Sequence, residues 1–114
     1  MISSDHLYIL WTNADPITFE KMVSMYACNS LKHQWWKQVT VIVWGSTAKL
    51  TAENEHVQAQ IKTMQETGVF ITACRACADQ LGVTSTLEEL GIEVMYWGEP
   101  LTELLKGKAN LLSV

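Results

Sequence analysis

Short apolar runs, rich in β-branched and aromatic residues, alternate along the chain with amphipathic stretches of helical period. The first run, His6–Thr12 (HLYILWT), is nearly all apolar and predicts a strand buried on both faces. Asp15 then precedes Pro16, a capping side chain followed by a residue with no N–H to leave unpaired at the first helical position. Phe19, Met22, Val23, Tyr26 and Ser30/Leu31 follow at three- and four-residue steps, which predicts a helix with one apolar stripe.

The second strand is predicted over Gln38–Trp44 (QVTVIVW), stopped by Gly45. Glu53–Thr67 carries Val57, Ile61 and Met64 on one stripe and ends at Gly68, the pattern of a surface helix. A third strand, Val69–Cys74 (VFITAC), leads into two short helices, Arg75–Leu81 and Thr84–Leu90, ended by Gly82 and Gly91. Ile92–Trp97 (IEVMYW) is the fourth strand, and Pro100–Lys106 is a short helix bearing Leu101, Leu104 and Leu105. Asn110–Val114 can add a fifth strand. Every strand-to-strand connection is long enough for a crossover, which a parallel pair requires. The expected fold is therefore one α/β domain over 1–114: a three-layer α/β/α sandwich with a mostly parallel sheet of four to five strands. In such sheets ligands collect beyond the carboxyl ends of the strands.

Composition narrows the function classes. The 114 residues are 48% hydrophobic and 18% charged, as expected for a globular chain rather than a disordered one. The net charge is -4 and the eight basic residues are scattered, so no stripe is present to neutralise phosphates and no nucleic-acid partner is expected. No run reaches the roughly 18 to 20 apolar residues of a membrane span. Three cysteines are an odd, sparse set for a disulfide scaffold, and Met1-Ile2-Ser3-Ser4-Asp5-His6 has no leader pattern; a reducing, cytoplasmic location is expected. Five tryptophans are generous for one small core, which points to apolar surface shared between subunits.

The strand assignments bring Trp11, Trp44, Cys74 and Trp97 to one rim. Indoles there either line a cleft around a reactive group or cap the core or a subunit contact. Cys74 begins the run Cys74-Arg75-Ala76-Cys77 where a strand gives way to a helix. Backbone N–H groups and the positive end of the helix dipole lower a thiol's pKa, and Arg75 adds positive charge; a nucleophilic sulfur would follow, fit for persulfide chemistry or thiol exchange. The plain alternative is a pair of buried cysteines packing as small hydrophobes, as Cys28 is expected to do in the first helix. His6, His33 and His56 lack ligand spacing to the cysteines, so no metal is expected. The Gly45-Ser46-Thr47 turn offers backbone N–H groups to an anion but has neither the lysine of a P-loop nor the glycines of a dinucleotide fingerprint, and no cofactor is expected.

The stretch Gly68-Val69-Phe70-Ile71-Thr72-Ala73-Cys74-Arg75-Ala76-Cys77-Ala78-Asp79-Gln80-Leu81-Gly82-Val83, followed by Leu87-Glu88-Glu89-Leu90-Gly91-Ile92-Glu93-Val94, resembles the DsrE/DsrF-like family of small sulfur-relay proteins, and the likeness extends over nearly the whole chain. The resemblance implies a compact α/β/α unit assembled as a homotrimer or homohexamer. It also implies that Cys74, eight residues before Gly82, carries persulfide sulfur between a protein donor and a protein acceptor. Cys77 has no matching role in many relay members. The expected function is a sulfur carrier or sulfurtransferase-like relay with Cys74, Cys77 and Arg75 as its reactive group and Trp11, Trp44, Gly45, Ser46, Thr47 and Trp97 around it. The alternative is a non-enzymatic oligomeric ligand-binding or structural protein of the same fold.

Overall fold

The β-branched and aromatic runs form five strands in the computed structural model, which describes residues 4–114. They are β1 (His6–Trp11), β2 (Gln38–Val43), β3 (Phe70–Cys74), β4 (Glu93–Met95) and β5 (Asn110–Ser113). All neighbours are parallel, in the order β4-β3-β2-β1-β5. From β1 to β4 each step moves the same way across the sheet. Right-handed crossovers then require every intervening helix to lie on one face. The return from β4 to β5 runs the other way, so its helix crosses the opposite face.

The first face holds the main core. Leu7, Ile9 and Trp11 share it in register with Val39, Val41 and Val43 and, further across, with Ile71, Ala73 and Val94. These side chains pack with apolar residues of five helices. Helix α1 covers residues 16–32, α2 is Ser46–Glu53, α3 is Glu55–Thr67, α4 is Arg75–Leu81 and α5 is Thr84–Glu89. Phe19 stacks on Trp11 with ring centroids 4.4 Å apart, and both are fully buried. The opposite face presents His6, Tyr8 and Leu10, then Thr40 and Ile42, then Phe70, Thr72 and Cys74. One helix, α6 (Gly98–Lys106), serves it. Nine residues rise about 14 Å, whereas five strands span about 19 Å, so cover is partial and Phe70 stays 46% exposed. The architecture is a three-layer α/β/α sandwich with very unequal outer layers.

Several boundaries differ from the sequence reading. Strand β2 ends at Val43 and β4 at Met95, leaving Trp44 and Trp97 in the turns that follow. The Gly45-Ser46-Thr47 turn expected after β2 leads directly into a helix that the sequence reading lacks, Ser46–Glu53. Its entry needs Gly45 at φ +72°, a backbone conformation that side-chain-bearing residues rarely adopt. The predicted helix Glu53–Thr67 begins two residues later, because Asn54 is extended and its side chain accepts the Val57 N–H, capping α3. Helix α1 opens as expected, with Asp15 capping and Pro16 first, but Phe19–Ser24 is wound as a π-helix before α-helical winding resumes at Met25–Lys32. Strand β5 forms along the outer side of β1.

Two substitutions test this packing in opposite directions. Phe19→Ala removes the ring stacked on Trp11 and is expected to cost about 3–5 kcal/mol of unfolding free energy. Thr51→Val replaces a buried hydroxyl that has no hydrogen-bond partner among the described residues and is expected to add about 1 kcal/mol. Urea midpoints at unchanged slope read both.

Candidate functional site

The sheet and α4 meet at Cys74. It is the last residue of β3, pairs with Met95 of β4, and caps α4 with an extended backbone. Its side chain is 4% exposed. Burial pushes the thiol's pKa up, which overturns the expected lowering by the helix terminus. The N–H groups of Ala76 and Cys77 do favour the thiolate, as dipoles rather than through a capping hydrogen bond, but desolvation outweighs them. The Cys77 thiol adjoins Cys74 and adds to the upward shift, because it stabilises the neutral form and repels a second negative charge. Cys77 itself is half-buried, so the more reachable sulfur of the pair is the second. Cys28, as expected, is buried in the core with α1.

Arg75 does not serve the thiol. Its Nη2 donates to the Val94 carbonyl at 2.9 Å and lies 3.6 Å from Glu88 Oε2, so the guanidinium ties α4 to β4 and α5. It exerts no resolved pull on the Cys74 thiol.

The expected ring of tryptophans is also dispersed. Trp11 alternates onto the first face, opposite to Cys74, and is fully buried, with its indole N–H donated to the Asn13 carbonyl at 2.8 Å. It belongs to the core and lines no cleft. Trp44 is half-buried at the start of the Gly45 turn. Thr47 is inaccessible: its Oγ1 accepts from the Trp44 N–H at 3.1 Å and lies 2.9 Å from the Trp11 carbonyl oxygen, to which it donates. The hydroxyl therefore ties β1 to β2 and faces no anion. Ser46 is exposed in the first turn of α2.

Trp97 is the indole that meets an opening. Its Nε1–H donates to Thr72 Oγ1 at 2.9 Å, and Thr72 donates onward to the Glu93 carbonyl at 2.8 Å, which fixes the ring over the second face. Beside it, Tyr8, Pro100, Glu103 and Leu104 complete a cleft of about 240 Å³. Sequence reading missed Tyr8, Pro100, Glu103 and Leu104 in this role. The signal lay in the alternation of β1 combined with the direction of the crossovers, which leaves the Tyr8 face to α6. No cluster of three or more metal-ligating side chains occurs among the described residues. No helix among them is long and apolar enough to cross a membrane.

No family model and no curated protein matches the chain. Among solved structures, a conserved protein of unknown function from Bacteroides thetaiotaomicron superposes with a TM-score of 0.96 at 43% identity, covering 100% of this chain and 98% of that one. The YchN protein from E. coli superposes with a TM-score of 0.68 at 15% identity, covering 96% and 99% respectively. This second likeness is one of fold alone.

The raised pKa of Cys74 has two measurable consequences. Alkylation of Cys74, followed by peptide mass mapping, is expected to climb at higher pH than that of an ordinary cysteine, and to return to the ordinary profile in denaturant. Because the unfolded chain releases this proton first, stability is expected to fall as pH rises past the ordinary thiol range, and Cys74→Ser should lack that component.

Proposed function

The chain belongs to the same family as the conserved Bacteroides thetaiotaomicron protein of unknown function, and from that premise we propose that it is a sulfur carrier in which Cys74 holds sulfane sulfur as a persulfide. The observation that carries this reading is the juxtaposition of a shielded sulfur, Cys74, and a half-exposed one, Cys77, at the start of α4. The resemblance to the DsrE/DsrF-like family and the fold shared with YchN support it at the level of architecture.

The burial of Cys74 assigns the entry step to its neighbour. The Cys77 thiolate attacks the outer sulfur of a donor persulfide, R–S–SH; R–S⁻ leaves and Cys77–S–SH forms. Cys74 then attacks that same outer sulfur, passing its proton to the departing Cys77 sulfur, and becomes Cys74–S–SH. An acceptor thiolate removes the sulfur by the same exchange. The sulfane sulfur keeps its oxidation state throughout, so no external oxidant or reductant is consumed. Donor and acceptor are proteins in this reading, and a reducing cytoplasm keeps both cysteines as thiols. The carrier is a homotrimer or homohexamer; the exposed Phe70, Tyr96 and Leu105 support shared apolar surface.

A second reading, a non-enzymatic oligomeric binding or structural protein of this fold, is favoured by the same 4% exposure of Cys74. One experiment separates the two. After incubation with a sulfane donor, peptide mass spectrometry is expected to find one added sulfur on Cys74, none in Cys74→Ser, and loading slowed about tenfold in Cys77→Ser. Sulfur absent from both cysteines rejects the carrier and leaves the second reading. For the assembly, sedimentation at micromolar concentration is expected to give a trimer or hexamer; a monomer rejects it.

A further inference from the structure

The cleft between α6 and the second sheet face has a chemistry separate from the thiols. It is lined by Tyr8, Trp97, Pro100 and Leu104, of which Trp97 is only 6% exposed, and Glu103 brings the one acidic side chain. Both aromatic rings are held in place before any guest arrives. The Trp97 indole is pinned through its N–H to Thr72. Tyr8 is stacked on His6 with centroids 4.0 Å apart and planes 17° from parallel, and His6 Nε2 lies 2.7 Å from Thr40 Oγ1. Burial holds His6 below its ordinary range, so the ring behind Tyr8 is uncharged at neutral pH and does not repel a cation. No lysine or arginine lines the cleft.

Two fixed aromatic rings with a carboxylate, in a chain of net charge -4, select a positive guest. The apolar walls narrow the class. A compact ammonium is strongly hydrated and loses that hydration against Pro100 and Leu104 with few hydrogen bonds in return. A methylated ammonium spreads its charge over carbon-bound hydrogens, sheds water more readily and meets aromatic faces through those methyl groups. The volume, about 240 Å³, falls below the roughly 300–1,000 Å³ of drug-sized sites, which limits the guest to a few heavy atoms. We propose that this cleft binds a small methylated ammonium compound, with Trp97 and Tyr8 facing the cationic head and Glu103 balancing its charge.

Choline is the probe, and 3,3-dimethylbutan-1-ol, the same shape with carbon in place of the cationic nitrogen, is the control. Binding is followed on the Trp97 indole N–H resonance, with sodium chloride matched throughout. A saturable shift with choline is expected, weakened about tenfold for the neutral alcohol and several-fold in Glu103→Gln. Glu103 is exposed, so this variant tests charge without disturbing the core. Cys74→Ser is expected to bind choline as the parent does, which keeps the result distinct from any failure of sulfur transfer. The proposal is overturned by equal binding of choline and the alcohol, by unchanged affinity in Glu103→Gln, or by no saturable shift up to tens of millimolar choline.

Discussion

Handedness governs this molecule more than any single contact. Because a strand, a crossover and a parallel strand pack back on the sheet in one sense only, the order β4-β3-β2-β1-β5 dictates where each helix goes. Three successive steps in one direction load five helices on one face, and the single return step leaves one helix for the other. The dense core, the burial of Trp11, the half-covered second face and the cleft beneath α6 all descend from that asymmetry.

At the tip of β3 two electrostatic influences compete. Two backbone N–H groups favour a negative sulfur, while removal from water disfavours it, and the second prevails. A helix start lowers a thiol's pKa only where the sulfur keeps enough solvent for the dipoles to decide the outcome. Here the sheet's neighbour strand and the Cys77 side chain shield it. Shielding has a use in carrier chemistry, since a persulfide kept from water and from stray oxidants survives until its acceptor arrives.

Local signals in the sequence were sufficient for the strands and for most helix ends. Asp15 and Pro16 marked the start of α1, and Gly68 and Gly82, both left-handed, marked the ends of α3 and α4. The alternation of apolar runs and helical stripes led to the parallel sheet. Helix α2 was illegible because its residues, STAKLTAE, carry no apolar stripe; it is held by Ala48 in the core and by Thr47 bridging two strands. The candidate site was legible as a position and not as an environment. Spacing located Cys74 at a strand tip, but its exposure depends on neighbours distant in sequence. The direction of the Arg75 side chain was likewise hidden, since its partners, Val94 and Glu88, lie on other elements. A strand-end position alone does not fix which face a side chain joins: pleat parity sends the Trp11 ring to the opposite side from Cys74.

The π-wound stretch Phe19–Ser24 sets the angular phase of everything that follows it in α1. Its wider turns hold more residues for the same rotation than an α-helix does. Loss of one residue there would let the segment relax to ordinary winding over the same rotation, so Ala27, Cys28 and Ser30 would keep their buried positions. The π-wound turn can therefore absorb a one-residue deletion, whereas the same deletion inside Met25–Lys32 would rotate the residues after it by about 100° and turn their buried side chains off the sheet.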